Sequence, residues 1–334
     1  MKAIAYTKLD APNALKVMEV PMPALKSGKI LIRAKASAIT NVDYIRFTER
    51  IKSGKTPFSI RVIDTLLLPS KPKILGAEIS GVVEAVGKNV KGLKVGDEVF
   101  GITPMFSRGW AEYVVVDEKA VFQKPVNLSF EQAAALPIAG ITAFSAICKA
   151  RVSKGQRVLV YGASGGVGHM TLLLAKALGA NVTAVCSTRN MDMCRGLGAD
   201  YCIDYKKEDV FKAGQLFDVI IACNGSNPLE KYEKLLNKGG IFVVLGGSMR
   251  QLMGAVLGPL LSIRSGKKLT VATQATVNKK EALTYLKETF ETSDIVPYLD
   301  KIYRPQEIAE ALQYIVELHP QGKVGVSLDF SGTN

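Results

Sequence analysis

Val158-Leu-Val-Tyr-Gly-Ala-Ser-Gly-Gly-Val-Gly168 sets four β-forming residues ahead of a turn that holds four glycines. Within it, Ala163-Ser-Gly165-Gly-Val-Gly168 has the spacing of a dinucleotide fingerprint, with alanine in the first glycine place. In a strand-turn-helix setting each position has a task. Ala163 and Ser164 lead the run, Gly165 lets backbone approach a pyrophosphate, and Gly168 lets helix and strand pack closely. Gly166 and Val167 open the helix, whose free N–H groups and positive dipole end suit phosphate oxygens.

About twenty positions on, an NAD-binding chain places a carboxylate for the adenosine ribose. This chain has Cys186-Ser-Thr-Arg-Asn190 there, and neither Asp nor Glu occurs between His169 and Met191. Two hydroxyls, Ser187 and Thr188, and the Arg189 guanidinium would bind a 2′-phosphate, and no carboxylate stands by to repel it. NADP(H) is therefore expected over NAD(H). The bland reading of the same residues is an exposed polar loop with an incidental arginine.

Metal chemistry is not expected. The five cysteines (148, 186, 194, 202 and 223) form no Cys-x-x-Cys pair, and the only histidines are His169 and His319. An odd, unpatterned cysteine set also argues against a disulfide framework and for a reducing compartment, with the cytoplasm the expected one.

These residues need elements to hold them. Over 1–122 short alternating runs (29–35, 81–86, 98–100, 112–116) are cut by glycines at 87, 92, 96 and 101, which predicts a β-rich antiparallel domain. From about 129 the rhythm changes. Apolar strands over 157–161, 181–186, 217–222 and 241–245 alternate with helices over 131–150, 167–178, 190–197 and 228–236, the pattern of a doubly wound parallel sheet. A helix over 279–291, a proline-containing strand, a helix over 305–318 and Lys323-Val-Gly-Val-Ser-Leu328 follow, and this tail is expected to return to the first domain. The predicted division is 1–122 with 276–334 around a dinucleotide-binding domain over 123–275.

The chain of 334 residues carries a formal charge of +13, which favours anionic partners without choosing among them. Its basic residues are scattered and lack interleaved aromatics, so no specific nucleic acid is expected. The start, Met1 to Leu9, reads as a strand rather than a signal peptide, and no stretch of about eighteen apolar residues predicts a membrane span.

Several motifs in one order resemble the medium-chain dehydrogenase/reductase superfamily, and within it the zinc-independent quinone oxidoreductase branch. They are Leu75-Gly-Ala-Glu-Ile-Ser-Gly81, Val95-Gly-Asp-Glu-Val-Phe-Gly101, Gly109-Trp-Ala-Glu-Tyr-Val-Val115, Ala133-Ala-Ala-Leu-Pro-Ile-Ala-Gly140 and the glycine turn itself. The resemblance implies a GroES-like catalytic domain beside the Rossmann domain. The zinc enzymes of that superfamily bind their metal at places matched here by Thr40, Ala77 and the neighbourhood of Pro137, and none of these is a first-choice zinc ligand. It implies a reductase that passes hydride from NADPH to a quinone or an α,β-unsaturated carbonyl, reactions that need no Lewis acid to deprotonate an alcohol. The alternative is an NADPH-binding regulatory, membrane-associated or RNA-binding protein with little turnover.

The same resemblance sets Thr40-Asn-Val-Asp43-Tyr44 against the nicotinamide. Tyr44 is then either a proton donor or a packed aromatic, and Asp43 either serves the site or pairs with Arg46. Thr142, Asn224, Gly246 and Gly247 match cofactor contacts at βα ends, and Tyr205 either matches a tyrosine that flanks the adenosine phosphate or is a packed tyrosine beside Asp204. Two apolar stretches, 56–68 and 252–261, border the family's cleft or, beside basic residues, dock weakly on an anionic membrane surface; the bland alternative is a core helix with a solvated end. A homodimer is also implied, its cofactor-domain sheets joined edge to edge through 241–245 and 269–274.

Overall fold

The computed structural model describes residues 1–7, 14–41, 43, 72–104, 107–212, 214–246, 266–318 and 320–331. Strand β1 (Lys2–Tyr6) pairs antiparallel with β2 (Lys16–Glu19). The centre of the first unit is β3 (Lys29–Ile39), whose alternating apolar residues turn Ile30, Ile32, Ala34 and Ala36 inward. β4 (Lys73–Ile74) joins β1, and β5 (Glu78–Val86) runs antiparallel along β3. β6 (Glu98–Ile102) continues the sheet, β7 (Tyr113–Asp117) pairs with the first half of β3, and β8 (Val121–Gln123) closes the far edge. Ile4, Tyr6, Ile30, Leu75, Ile79 and Trp110 belong to one core cluster. Burying such a side chain contributes about 1.5–3 kcal/mol each.

One helix was expected over 131–150, and the structure has two. α1 (Phe130–Ala134) starts with a capping box, Ser129 and Gln132 each taking the other's backbone N–H. α2 (Pro137–Ala150) starts afresh at the proline, which has no N–H to continue a helix and a backbone angle suited to beginning one.

The second unit alternates strands and helices: β9 (Arg157–Tyr161), α3 (Gly166–Ala177), β10 (Asn181–Cys186), α4 (Met191–Gly196), β11 (Tyr201–Asp204), β12 (Phe217–Ala222), α5 (Leu229–Lys234), β13 (Leu236–Val244), β14 (Lys268–Val271) and α6 (Lys279–Thr292). All six strands are parallel, in the order β11-β10-β9-β12-β13-β14. The nearly continuous apolar runs of β9, β10 and β12 fit strands covered on both faces. Of the two strands expected to meet a second copy, β13 lies between β12 and β14, so among the described residues β14 alone of the pair is an edge strand.

β15 (Leu299–Tyr303), α7 (Ile308–Leu318) and β16 (Lys323–Ser327) return to the first unit, where β16 pairs antiparallel with the second half of β3. The two compact units are Met1–Ile138 with Leu299–Asn334, and Ala139–Tyr298. These limits lie later in the chain than 122/123 and 275/276. α1 packs on β3, β5 and β16 of the first unit, while α6 sets Tyr285 against Phe144 of α2, ring centroids 4.8 Å apart, within the second. Among the described residues no helix is long and apolar enough to cross a membrane.

Candidate functional site

In the six-stranded sheet the chain winds from β9 to β11 in one direction and from β12 to β14 in the other. The switch point lies between β9 and β12, and a ligand of such a sheet sits outside the carboxyl ends there. The glycine turn is at that place. Gly162 takes a positive φ of 79° and, with Ala163, donates its N–H to the Val185 carbonyl, at 3.0 and 3.1 Å. Gly162 is thus the residue that makes the tight turn, a role the fingerprint spacing assigned to the place of Ala163, which is fully buried.

The three later glycines differ in what demands them. A Cβ on Gly168 would lie 2.0 Å from the Gly162 carbonyl oxygen, so the helix can approach the strand only without a side chain there. Gly165 has φ −82° and would bring a Cβ no nearer than 3.8 Å to Gly162. Neither its backbone nor its neighbours require glycine, and the missing side chain leaves open the space in front of α3. No side chain caps α3, so the first-turn amides of Gly166, Val167 and Gly168 face that space without a capping oxygen. This is a cradle a Cβ would fill, and it fits a pyrophosphate.

At the end of β10, Ser187 is buried, and the 3-10 turn Thr188–Asn190 follows. Thr188 donates its hydroxyl to Asp204 at the end of β11, and Asn190 donates its side-chain N–H to Ser164 at 2.8 Å. The expected trio therefore divides: Ser187 is enclosed, the Thr188 hydrogen is used within the protein, and Arg189 is the exposed cation. Asp204 is a carboxylate close to this turn, but it is buried and takes hydrogen bonds from Thr188 and the Lys206 N–H, which hold it below the usual carboxylate range. Beside it Tyr205, Lys206 and Lys207 are exposed. The two lysines escaped the sequence reading, although Tyr205-Lys-Lys207 is legible as a basic pair directly after a strand.

Thr142, expected at a βα end, lies instead inside α2, which follows α1 rather than a strand; its hydroxyl accepts a hydrogen bond from the Gln274 side-chain amide at 2.9 Å, just past β14. The ends of β12 and β13 bring further residues to the carboxyl side of the sheet. Asn224 is exposed and lies next to Gly162, where an added Cβ would meet it at 3.2 Å. Burial pushes the neighbouring Cys223 thiol up to about 12, the Thr171 hydroxyl 3.6 Å away opposing the rise. A Cβ on Gly246 would come within 2.8 Å of the Cys223 carbonyl oxygen, so β12 and β13 leave the sheet in close contact. Gly247 and the 252–261 stretch lie outside the described residues.

In the first unit, Thr40 and Asp43 form a closed buried turn. Asp43 accepts the Thr40 hydroxyl at 2.7 Å, the Thr40 N–H at 3.1 Å and, on its other oxygen, the Gly76 N–H at 3.0 Å. Gly76 has φ 98°, and a Cβ there would strike Trp110 at 2.5 Å. Ala77 is fully buried. Glu78, next along, bonds Lys323, a residue the sequence reading did not single out. Tyr44, Arg46 and the 56–68 stretch lie outside the described residues. A hydroxyl committed to a carboxylate, a buried methyl and a proline do not make a zinc donor set at the three matching places. Among the described residues no group of three or more His, Cys, Asp or Glu is placed to hold a metal ion.

A β-rich GroES-like unit interrupted by a parallel Rossmann sheet defines a protein of the alcohol-dehydrogenase architecture. Residues 26–126 match the family profile described as alcohol dehydrogenase GroES-like domain, and residues 166–287 that described as zinc-binding dehydrogenase. A 2-methylene-furan-3-one reductase of Solanum lycopersicum is 39% identical over 259 residues, 75% of this chain and 63% of that protein, so less than two thirds of the relative is spanned. The chloroplastic NADPH-dependent alkenal/one oxidoreductase of Arabidopsis thaliana is 32% identical over 98% of this chain and 79% of its own. The solved structure of the quinone oxidoreductase from Coxiella burnetii superposes with a TM-score of 0.82 at 28% identity, covering 98% of this chain and 99% of that one. The chain belongs to the medium-chain dehydrogenase/reductase superfamily.

Proposed function

We propose that this chain is an NADPH-dependent reductase of quinones or α,β-unsaturated carbonyls that works without zinc. The observation that carries the proposal is Gly165, a glycine demanded by neither φ nor packing, set before helix amides that have no side-chain cap at the switch point of the sheet. Relatives named for alkenal/one, furanone and quinone reduction support the reaction class.

When bound, the nicotinamide supplies hydride to the β-carbon of an enone or to a quinone. The chain's own residues hold and orient. The α3 amides receive the pyrophosphate, Arg189 pairs with the 2′-phosphate, and Lys206 and Lys207 add positive charge near it. Thr142, Asn224 and Gly246 line the sheet end. Thr40, its hydrogen fixed on Asp43, presents only lone pairs, so it accepts rather than donates. The proton for the developing enolate or hydroquinonate then comes from Tyr44 or from water. The described residues offer no group of His, Cys, Asp or Glu placed to hold a metal ion, which supports acceptors already polarised by conjugation as the substrates.

Purified protein is expected to oxidise NADPH with at least one 1,4-quinone, enone or enal, at a rate unchanged by a strong zinc chelator. Oxidation with none of them overturns the reaction. A chelator-sensitive rate overturns the zinc-free part. The five free cysteines suit a reducing compartment such as the cytoplasm. A homodimer through β14 and weak docking on anionic membrane are part of the same proposal.

A further inference from the structure

The first unit contains an ion pair with almost no access to water: the Glu78 side chain is fully buried and that of Lys323 is 6% exposed. They lie 245 residues apart in the chain. Besides Glu78, the Lys323 ammonium donates to the Ile39 carbonyl at 3.3 Å, and Ile39 is the residue directly before Thr40. The other Glu78 oxygen accepts the Ile138 N–H at 2.9 Å. Pro137 has no N–H, so Ile138 carries the first amide of α2, and a carboxylate there also meets the positive end of the helix dipole. One turn further along the same helix stands Thr142.

Stability alone does not call for this arrangement. A buried ion pair often does no better than apolar residues of the same volume, because both charges lose their water. Burial pushes the Glu78 carboxyl up, Lys323 draws it down, and the negative charge of Asp43 pushes it up again. What the charged pair adds is direction. Each head group has fixed reach and fixed partners, and those partners are the backbone one residue before Thr40 and one turn before Thr142.

The geometry points to Lys323 and Glu78 as positioning residues that set the Thr40–Asp43 turn and the first turn of α2 for hydride transfer. The inference rests on the reductase reading above. The test compares Lys323→Met and the double variant Glu78→Leu with Lys323→Met against wild type. Thermal unfolding, NADPH affinity, kcat and KM, and amide hydrogen exchange at Thr40 are measured for each.

The single variant leaves a buried carboxylate without its cation and is expected to unfold at a lower temperature. The double variant has no buried charge to strand and is expected to keep its fold, so it carries the test if the single one does not fold. In the double variant kcat should fall roughly 10- to 100-fold, the cost of a small misplacement of reacting groups, while NADPH affinity changes by less than about threefold. The Thr40 amide, which bonds to Asp43 and to neither mutated side chain, should exchange faster. A double variant with wild-type kcat and wild-type Thr40 exchange overturns the inference and leaves the pair a matter of packing. Should wild type reduce no quinone or enone, the reductase reading fails, and Thr40 exchange alone decides whether the pair holds the turn.

Discussion

Gly168 and Arg189 test the cofactor site from opposite directions, one by adding an atom and one by removing a charge. In Gly168→Ala the new methyl would sit 2.0 Å from a backbone carbonyl oxygen, so strand or helix must move. Overpacking of this kind costs about 1–3 kcal/mol, and here it also shifts the amides proposed to receive the pyrophosphate. The expected outcome is a lower urea midpoint together with loss of binding to NADPH and NADH alike; unchanged binding of both would remove the turn from the site. Arg189→Ala leaves the turn intact. A charge-assisted hydrogen bond contributes about 1.5–3 kcal/mol, so NADPH affinity should drop roughly tenfold or more while NADH affinity holds. Equal loss for both nucleotides would show that Arg189 does not read the 2′-phosphate. The glycine spacing and the missing carboxylate after β10 were legible because they are local. The use of the Thr188 hydroxyl by Asp204 was not, since it depends on two strands lying side by side. Nor was the role of Gly162, whose positive φ belongs to the turn and leaves no mark in the glycine pattern.

Local chemistry also decides where elements begin and how they are tied, and it explains which boundaries the sequence showed. β9, β10 and β12 run over 157–161, 181–186 and 217–222 as expected, because a strand covered on both faces is a continuous apolar run bounded by polar residues. The helix expected over 131–150 is broken at Pro137, a break that the run of alanines before it obscures in the sequence, and β2 is short with no fully buried residue to announce it. The start of β3 and the end of β7 are tied by Lys29 and Asp117, 2.8 Å apart. The Lys29 ammonium and the Lys119 N–H hold the Asp117 carboxyl below its usual range. A carboxyl depressed on folding contributes stability above its unfolded value, near 4, and loses it as pH falls through the folded one. Wild type should therefore lose stability more steeply than Asp117→Asn below about pH 4 and be the more stable of the two at neutral pH. Both side chains are more than one third exposed, so added salt should shrink the difference. Parallel acid unfolding of the two proteins would show that the pair contributes nothing.

The whole chain carries +13, and any self-association must work against that charge. Among the described residues the parallel sheet ends in β11 on one side and β14 on the other. β11 brings Tyr201, Tyr205 and the charged run 206–209 to its surroundings, all exposed, which suits an edge kept in water. β14 is the better candidate for a partner. It is four residues long, begins with one lysine, and keeps Thr270 and Val271 only partly covered. Two copies joined there would each extend the other's sheet and remove an unpaired edge. The sequence pointed to 241–245 as well, because an apolar run cannot tell an interior strand from an edge; pairing on both sides of β13 settles that it is interior. Charge repulsion between the copies is screened over about 8 Å at physiological ionic strength, so association should strengthen as salt rises from low values. Sedimentation velocity is expected to show a dimer that dissociates on dilution at low salt. Thr270→Lys adds a positive charge to the β14 edge of each copy and should shift the protein to monomer without changing NADPH affinity. A dimer unaffected by both salt and Thr270→Lys would mean that another surface joins the copies, and a monomer at every concentration would mean that β14 stays an open edge.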